Sequence, residues 1–151
     1  MPQISAVLLH DLPGPLGELK AALERQSVKT QVVRTCQEAL YLLVGPDPPL
    51  LIFTDSQLPD GTWSDVVRMA CQAPTPTSVI VVSRLVDVSF YLDSLERGAF
   101  DFIAPPFEPM ELAHIVQCGV DHTLALRGAE AHAGSRAGTL PAGALRPSIR
   151  T

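Results

Sequence analysis

A chain of 151 residues, 46% hydrophobic and 18% charged, is long enough for one domain with a substantial core and too short for two comfortable ones. Its longest wholly apolar runs are only a handful of residues, far short of a membrane span, and a formal charge of −5 argues against nucleic acid as a direct partner. The charge is uneven, because residues 126–151 hold four Arg and one Glu and leave seven basic and fifteen acidic groups, −8, in the body before them.

A strand-like segment opens the chain, with no basic region, long apolar stretch and cleavage site ahead of it, so a cytoplasmic, non-membrane protein is expected. Residues 4–9, Ile-Ser-Ala-Val-Leu-Leu, form the first apolar strand and end in His10-Asp11. Leu12-Pro13-Gly14-Pro15 breaks it, and Leu16, Leu19 and Leu23 then recur at helical spacing up to Gln26. Residues 28–35 are β-branched and alternating, as suits a strand near the sheet edge. A short helix over 36–44, with Ala39, Leu42 and Leu43 on one face, is stopped by Gly45-Pro46-Asp47-Pro48-Pro49.

Leu50-Leu51-Ile52-Phe53-Thr54-Asp55 runs an apolar stretch straight into a carboxylate, followed by Ser56-Gln57-Leu58-Pro59-Asp60-Gly61. A run this short and continuous predicts a strand buried on both faces. Asp55 then either caps the turn that follows or stands at a carboxyl strand end, where open α/β sheets bind ligands. Trp63, Val66, Val67 and Ala70 mark the next helix, ended by Ala73-Pro74-Thr75-Pro76. Residues 78–83 form a fourth strand, Val88, Tyr91, Leu92 and Leu95 a helix closed by Gly98 as its C-terminal cap, and residues 100–104 a fifth strand before Pro105-Pro106. Leu112, Ile115, Val116, Gly119 and Val120 carry a last helix. Cys36, Cys71 and Cys118 all fall on predicted helices; their odd number and wide spacing rule out a disulfide framework or a CxxC knuckle and predict buried free thiols.

Strands alternating with helices require parallel strands and right-handed crossovers. Five units give an α/β, doubly wound five-stranded parallel sheet of flavodoxin-like order 2-1-3-4-5. That order converges the tips His10-Asp11, Asp55 and Ser83 on one crevice. The domain is expected over 1–125, followed by a disordered Ala/Gly/Arg-rich tail, 126–151, with too little apolar surface to offset its ordering entropy and no output domain after it; a fusion linker is the alternative.

Asp11, Asp55 and the backbone carbonyl of Gln57 make an all-oxygen cluster suited to Mg²⁺, which takes one or two carboxylates and keeps several waters. Such a metal would offset the charge that gathers when a carboxylate attacks a phosphoryl group. Ser83, across the crevice, could hydrogen-bond a phosphoryl oxygen. The alternative is two solvated acids at strand ends.

Over roughly residues 3–124 the chain resembles the receiver domain of bacterial two-component response regulators. The resemblance rests on Val7-Leu8-Leu9-His10-Asp11, on Phe53-Thr54-Asp55 with Leu58-Pro59-Asp60-Gly61, on Val81-Val82-Ser83, and on residues 98–107. It implies a single-domain phosphorelay protein whose Asp55 accepts phosphate from a histidine kinase or phosphotransfer protein. By the same resemblance Asp11 and Asp55 hold Mg²⁺, Ser83 senses the phosphoryl group and the aromatic at Phe102 turns inward in response. Such a domain is not an enzyme beyond slow self-catalysed phosphotransfer and dephosphorylation. Its downstream partner, and whether the face around Phe102 and the last helix forms a homodimer, stay open.

Two departures stand out. His10 replaces the first of two acids, which should weaken Mg²⁺ binding because imidazole suits that ion poorly. Pro105 occupies the place of a lysine, and the only lysines are Lys20 and Lys29. Arg84 stands where the family is small. It is expected to stand in for the missing lysine by pairing with the phosphoryl group; a salt bridge to Asp55 or Asp11, or a side chain in solvent, are the alternatives. The runner-up reading is a pseudo-receiver, an interaction module indifferent to phosphorylation.

Overall fold

Residues 4–11, 14–84 and 88–135 are described in the computed structural model, and in them strands and helices alternate as the apolar runs predict. β1 (Ser5–Leu9), α1 (Pro15–Arg25), β2 (Lys29–Val33), α2 (Cys36–Leu43) and β3 (Leu51–Asp55) come first. A two-stranded antiparallel hairpin, β4 (Gln57–Leu58) and β5 (Gly61–Thr62), then turns over Pro59 and Asp60 where the sequence suggests only a turn. α3 (Trp63–Gln72), β6 (Ser78–Val82), α4 (Val88–Glu96), β7 (Asp101–Ile103) and α5 (Pro109–Ser135) complete the order.

The main sheet is parallel, in the order β2-β1-β3-β6-β7, the expected doubly wound arrangement. Each central strand feeds two cores, because successive side chains point to opposite faces. Val7, Leu9, Ile52, Val79 and Val81 pack under α2 and α3. Ala6, Leu8, Leu51, Phe53, Ile80 and Val82 pack against α1 and α5. β6 is buried throughout, whereas β2 at the edge is mostly exposed. Leu16, Leu19 and Leu23 are fully buried, each contributing about 2 kcal/mol of transfer free energy to docking α1.

Local signals fix the helix ends. Thr62 and Asp65 form a reciprocal capping box at the start of α3. Gly98, at φ 111°, caps α4 as expected, and the bonds Ala99 N–H to Ser94 O and Gly98 N–H to Leu95 O make a Schellman closure. Leu92, expected on the inner face of α4, is exposed; the side chains of Val88 and Tyr91, and residues 12 and 13, lie outside the described residues.

Two expectations are corrected. The helix does not stop near 125 but runs through Ser135. Arg127 explains why: its Nε donates to Pro76 O at 2.8 Å, and its Nη2 to Pro49 O at 2.8 Å and Pro48 O at 3.3 Å. One turn earlier Thr123 Oγ1 donates to Leu50 O at 2.9 Å and meets Ser78 Oγ at 2.7 Å. Polar contacts with the strand-entry loops thus continue α5 where apolar periodicity fades; residues 136–151 lie outside the described residues. The thiols are free, but only Cys36 is buried. Cys118 is half-buried and Cys71, one residue past the inward-facing Ala70, is exposed.

Candidate functional site

The carboxyl ends of β1, β3 and β6 stand side by side. Leu9 is in register with Thr54, and Asp55 with Val82, so His10-Asp11, Asp55 and Ser83 emerge together. Asp11, Asp55 and Gln57 line one open cleft of about 280 Å³ with Leu58 and Pro59. Asp55 is half-buried, and its Oδ1 accepts the Ser56 N–H at 2.7 Å. Trp63 N–H donates to Ser56 O at 3.2 Å, tying the start of α3 to the residue after Asp55.

His10 is half-buried and donates its backbone N–H to Val33 O at 3.0 Å; it does not line the cleft. Ser83 is buried, with its N–H on Ile103 O at 3.1 Å. Phe102 is buried too, its ring edge-on to Phe90 with centroids 5.0 Å apart, and Phe90 continues to Trp63 at 5.5 Å. A phenylalanine carries no hydroxyl to draw it toward water, so the inward position is its natural one.

Arg84 does not bridge to Asp55 or Asp11. It pairs with Glu18 on α1 at 3.4 Å, both side chains more than half exposed. The cation on Asp11 is Arg34, which follows β2. Its Nε and Nη2 lie 3.1 and 3.0 Å from the same oxygen, Asp11 Oδ1. Sequence reasoning missed this residue, although the parallel register of β1 and β2 pairs Leu9 with Val33 and so sets Arg34 beside His10.

Asp60 is a second residue that sequence reasoning left without a role. Its carboxylate accepts the N–H groups of Cys36 at 2.7 Å and Gln37 at 3.1 Å, capping α2 from the β4–β5 turn. The Cys36 N–H, foremost, and the Gln37 N–H hold this carboxyl below its ordinary range. The turn that forms one wall of the cleft is thereby pinned to a helix end.

The donor set fits a hard divalent cation. Among the described residues no three His, Cys, Asp or Glu side chains form a metal cage; two acids, Asp11 and Asp55, with Gln57 at one open cleft are instead a sparse oxygen-bearing set of the kind that Mg²⁺, completed by water, tolerates.

A doubly wound parallel sheet with acids gathered at its carboxyl edge defines a receiver-type α/β domain. The sequence profile of the response regulator receiver domain matches residues 7–117, and the chain belongs to that family, the receiver module of two-component signalling. It is 30% identical to the response regulator protein PilR of Pseudomonas aeruginosa over 116 residues, 77% of this chain and 26% of that protein. The chain therefore spans about a quarter of that relative's length. The CheY-like receiver domain protein of Methanospirillum hungatei superposes with a TM-score of 0.66 at 20% identity, covering 82% of this chain and 98% of that one. The receiver domain of sensor histidine kinase PA1611 from Pseudomonas aeruginosa, solved with magnesium coordinated in its active-site cleft, gives 0.68 at 19% identity over 80% and 99%. Among the described residues no helix is long and apolar enough to cross a membrane.

Proposed function

We propose that this domain accepts a phosphoryl group on Asp55 from a phosphohistidine of a histidine kinase or phosphotransfer protein. The observation that carries the reading is the convergence of Asp11, Asp55 and Gln57 on one cleft at the carboxyl edge of the sheet. The Ser56 N–H holds Asp55 Oδ1 and so orients the carboxylate that attacks phosphorus. The new O–P bond forms as the P–N bond breaks, and the imidazole leaves with the electron pair. Asp11, Asp55 and the Gln57 carbonyl would hold Mg²⁺, weakly because His10 replaces an acid; the bound ion would supply positive charge to the transferring oxygens. The Ser83 hydroxyl donates to a phosphoryl oxygen, and Arg84, next in the chain, screens the mouth of the crevice.

Intact mass after incubation with Mg²⁺ and a small acyl phosphate tests this. One added phosphoryl group, lost in Asp55→Asn, is expected; an unmodified wild-type chain would sink the phosphoacceptor reading. The second reading, a phosphorylation-independent interaction module, is favoured by Pro105 in the lysine position and by the Arg34 ion pair on Asp11. Under it, Asp55→Asn leaves partner binding intact.

A further inference from the structure

We propose that Arg34 is the resident counter-cation of the crevice and competes with a divalent metal for Asp11, so that metal binding begins with release of this ion pair. The proposal rests on the reading of Asp11 as a metal ligand and deepens it.

Topology puts the guanidinium in place. The bond from His10 N–H to Val33 O carries the β1–β2 pairing one step past the strands. Arg34 is the next residue, and its own N–H is held by Glu38 Oε1 at 2.9 Å. Glu38 belongs to the α2 terminus, where Thr35 Oγ1 accepts the Glu38 N–H at 3.1 Å. The Arg34 backbone is thus fixed while its side chain is 68% exposed.

The contact geometry is that of a competitor. Both guanidinium nitrogens address one oxygen, Asp11 Oδ1, rather than forking across the carboxylate. That oxygen then accepts the Nε–H and has a second guanidinium nitrogen 3.0 Å away, and a cation bound at the roughly 2.0–2.1 Å required by Mg²⁺ would meet an adjacent positive charge. A single-oxygen, exposed pair is also weak, so the competition is modest and reversible. Electrostatics gives the pair its reason. Asp11 and Asp55 share a cleft, the chain has no lysine at Pro105, and Arg84 is paired to Glu18 on α1. Among the described residues, Arg34 is the cation paired with Asp11.

The test is a magnesium titration of the full chain by calorimetry, with Trp63 emission as a parallel reporter. Arg34→Gln keeps a hydrogen-bonding side chain and removes the charge; Arg34→Met is a second neutral variant should the first fold poorly. Loss of an exposed competing pair predicts about two- to five-fold tighter Mg²⁺ binding in the neutral variants, with Arg34→Lys close to wild type. Wild-type binding that is unchanged or weakened in both neutral variants would overturn the role of Arg34 and leave the metal reading standing. Absence of binding in wild type and neutral variants alike would overturn both. A merely structural Arg34 would lower stability without tightening the metal.

Discussion

Replacing Arg127 by alanine removes a guanidinium bonded to three carbonyls, those of Pro76 and Pro49 at 2.8 Å and of Pro48 at 3.3 Å. Two of the acceptors lie in the loop entering β3 and one in the loop entering β6, in proline-rich segments that break regular pairing. Burial lowers the guanidinium pKa from its ordinary value, the mark of a charge drawn partly out of water. A hydrogen bond to a charged group contributes about 1.5–3 kcal/mol when desolvated. With two short bonds, one long one and partial exposure, the loss should be roughly 2–3 kcal/mol. For a domain of this size that lowers the melting temperature by about 6–10 °C. Arg127→Lys should recover less than half, because an ammonium cannot fork across two loops. Thermal unfolding followed by circular dichroism is the assay, with a chain ending at Leu126 as companion, which should lose at least as much. A fall below about 2 °C in Arg127→Ala would show that water serves these carbonyls equally well and that the last turns of α5 stand without the staple.

The thiol of Cys36 is pushed up from 9.0 to about 11, first by burial and then by the Asp60 carboxylate. A raised pKa favours the neutral form in the fold, so this contribution to stability is full below pH 9 and lost as pH rises through about 11. Iodoacetamide at pH 8 should label exposed Cys71 well before Cys36, and equal labelling rates would contradict the burial. Phe90 bridges Trp63 and Phe102, so Phe90→Ala should cost roughly 1–3 kcal/mol and shift Trp63 emission. Unchanged emission and unchanged denaturant midpoint would refute the bridge.

The architecture was legible because each buried strand is a continuous apolar run ended by turn residues, and because five alternations leave few topologies. Leu51-Ile52-Phe53 and Val79-Ile80-Val81-Val82 announce central strands by composition alone. The acids of the cleft were legible for the same reason, since a carboxylate at a strand's last position inherits its place from the sheet. What stayed hidden depends on side chains that reach across elements. Arg127 sits in an Ala/Gly-rich stretch with no apolar period, and its partners are backbone carbonyls, which sequence does not distinguish. Asp60 looks like a turn residue and caps a helix more than twenty positions earlier. Arg84 attracts attention by position beside Ser83, yet Glu18 on α1 takes it. Arg34 lies in a connection whose length and composition carry no signal.

The charges in the crevice bear on how a chain without the usual lysine could still host an acyl phosphate. A phosphoryl group on Asp55 would carry about −1.5 to −2 at neutral pH, and Asp11 adds one more negative charge. A divalent cation offsets two of these roughly three charges, which leaves a deficit that a lysine normally fills. Arg34 arrives from the opposite edge of the sheet, by way of β2 rather than β7, and under the proposed function its single charge would close the balance. A guanidinium weakly held on a single oxygen of Asp11 offsets that carboxylate, and its backbone is anchored by Glu38. A fixed lysine couples the phosphoryl group to β7 and the surface beyond it. A cation beside β2 lies at the other edge of the sheet from β7, whereas Ser83 donates its N–H to Ile103, the residue after Phe102.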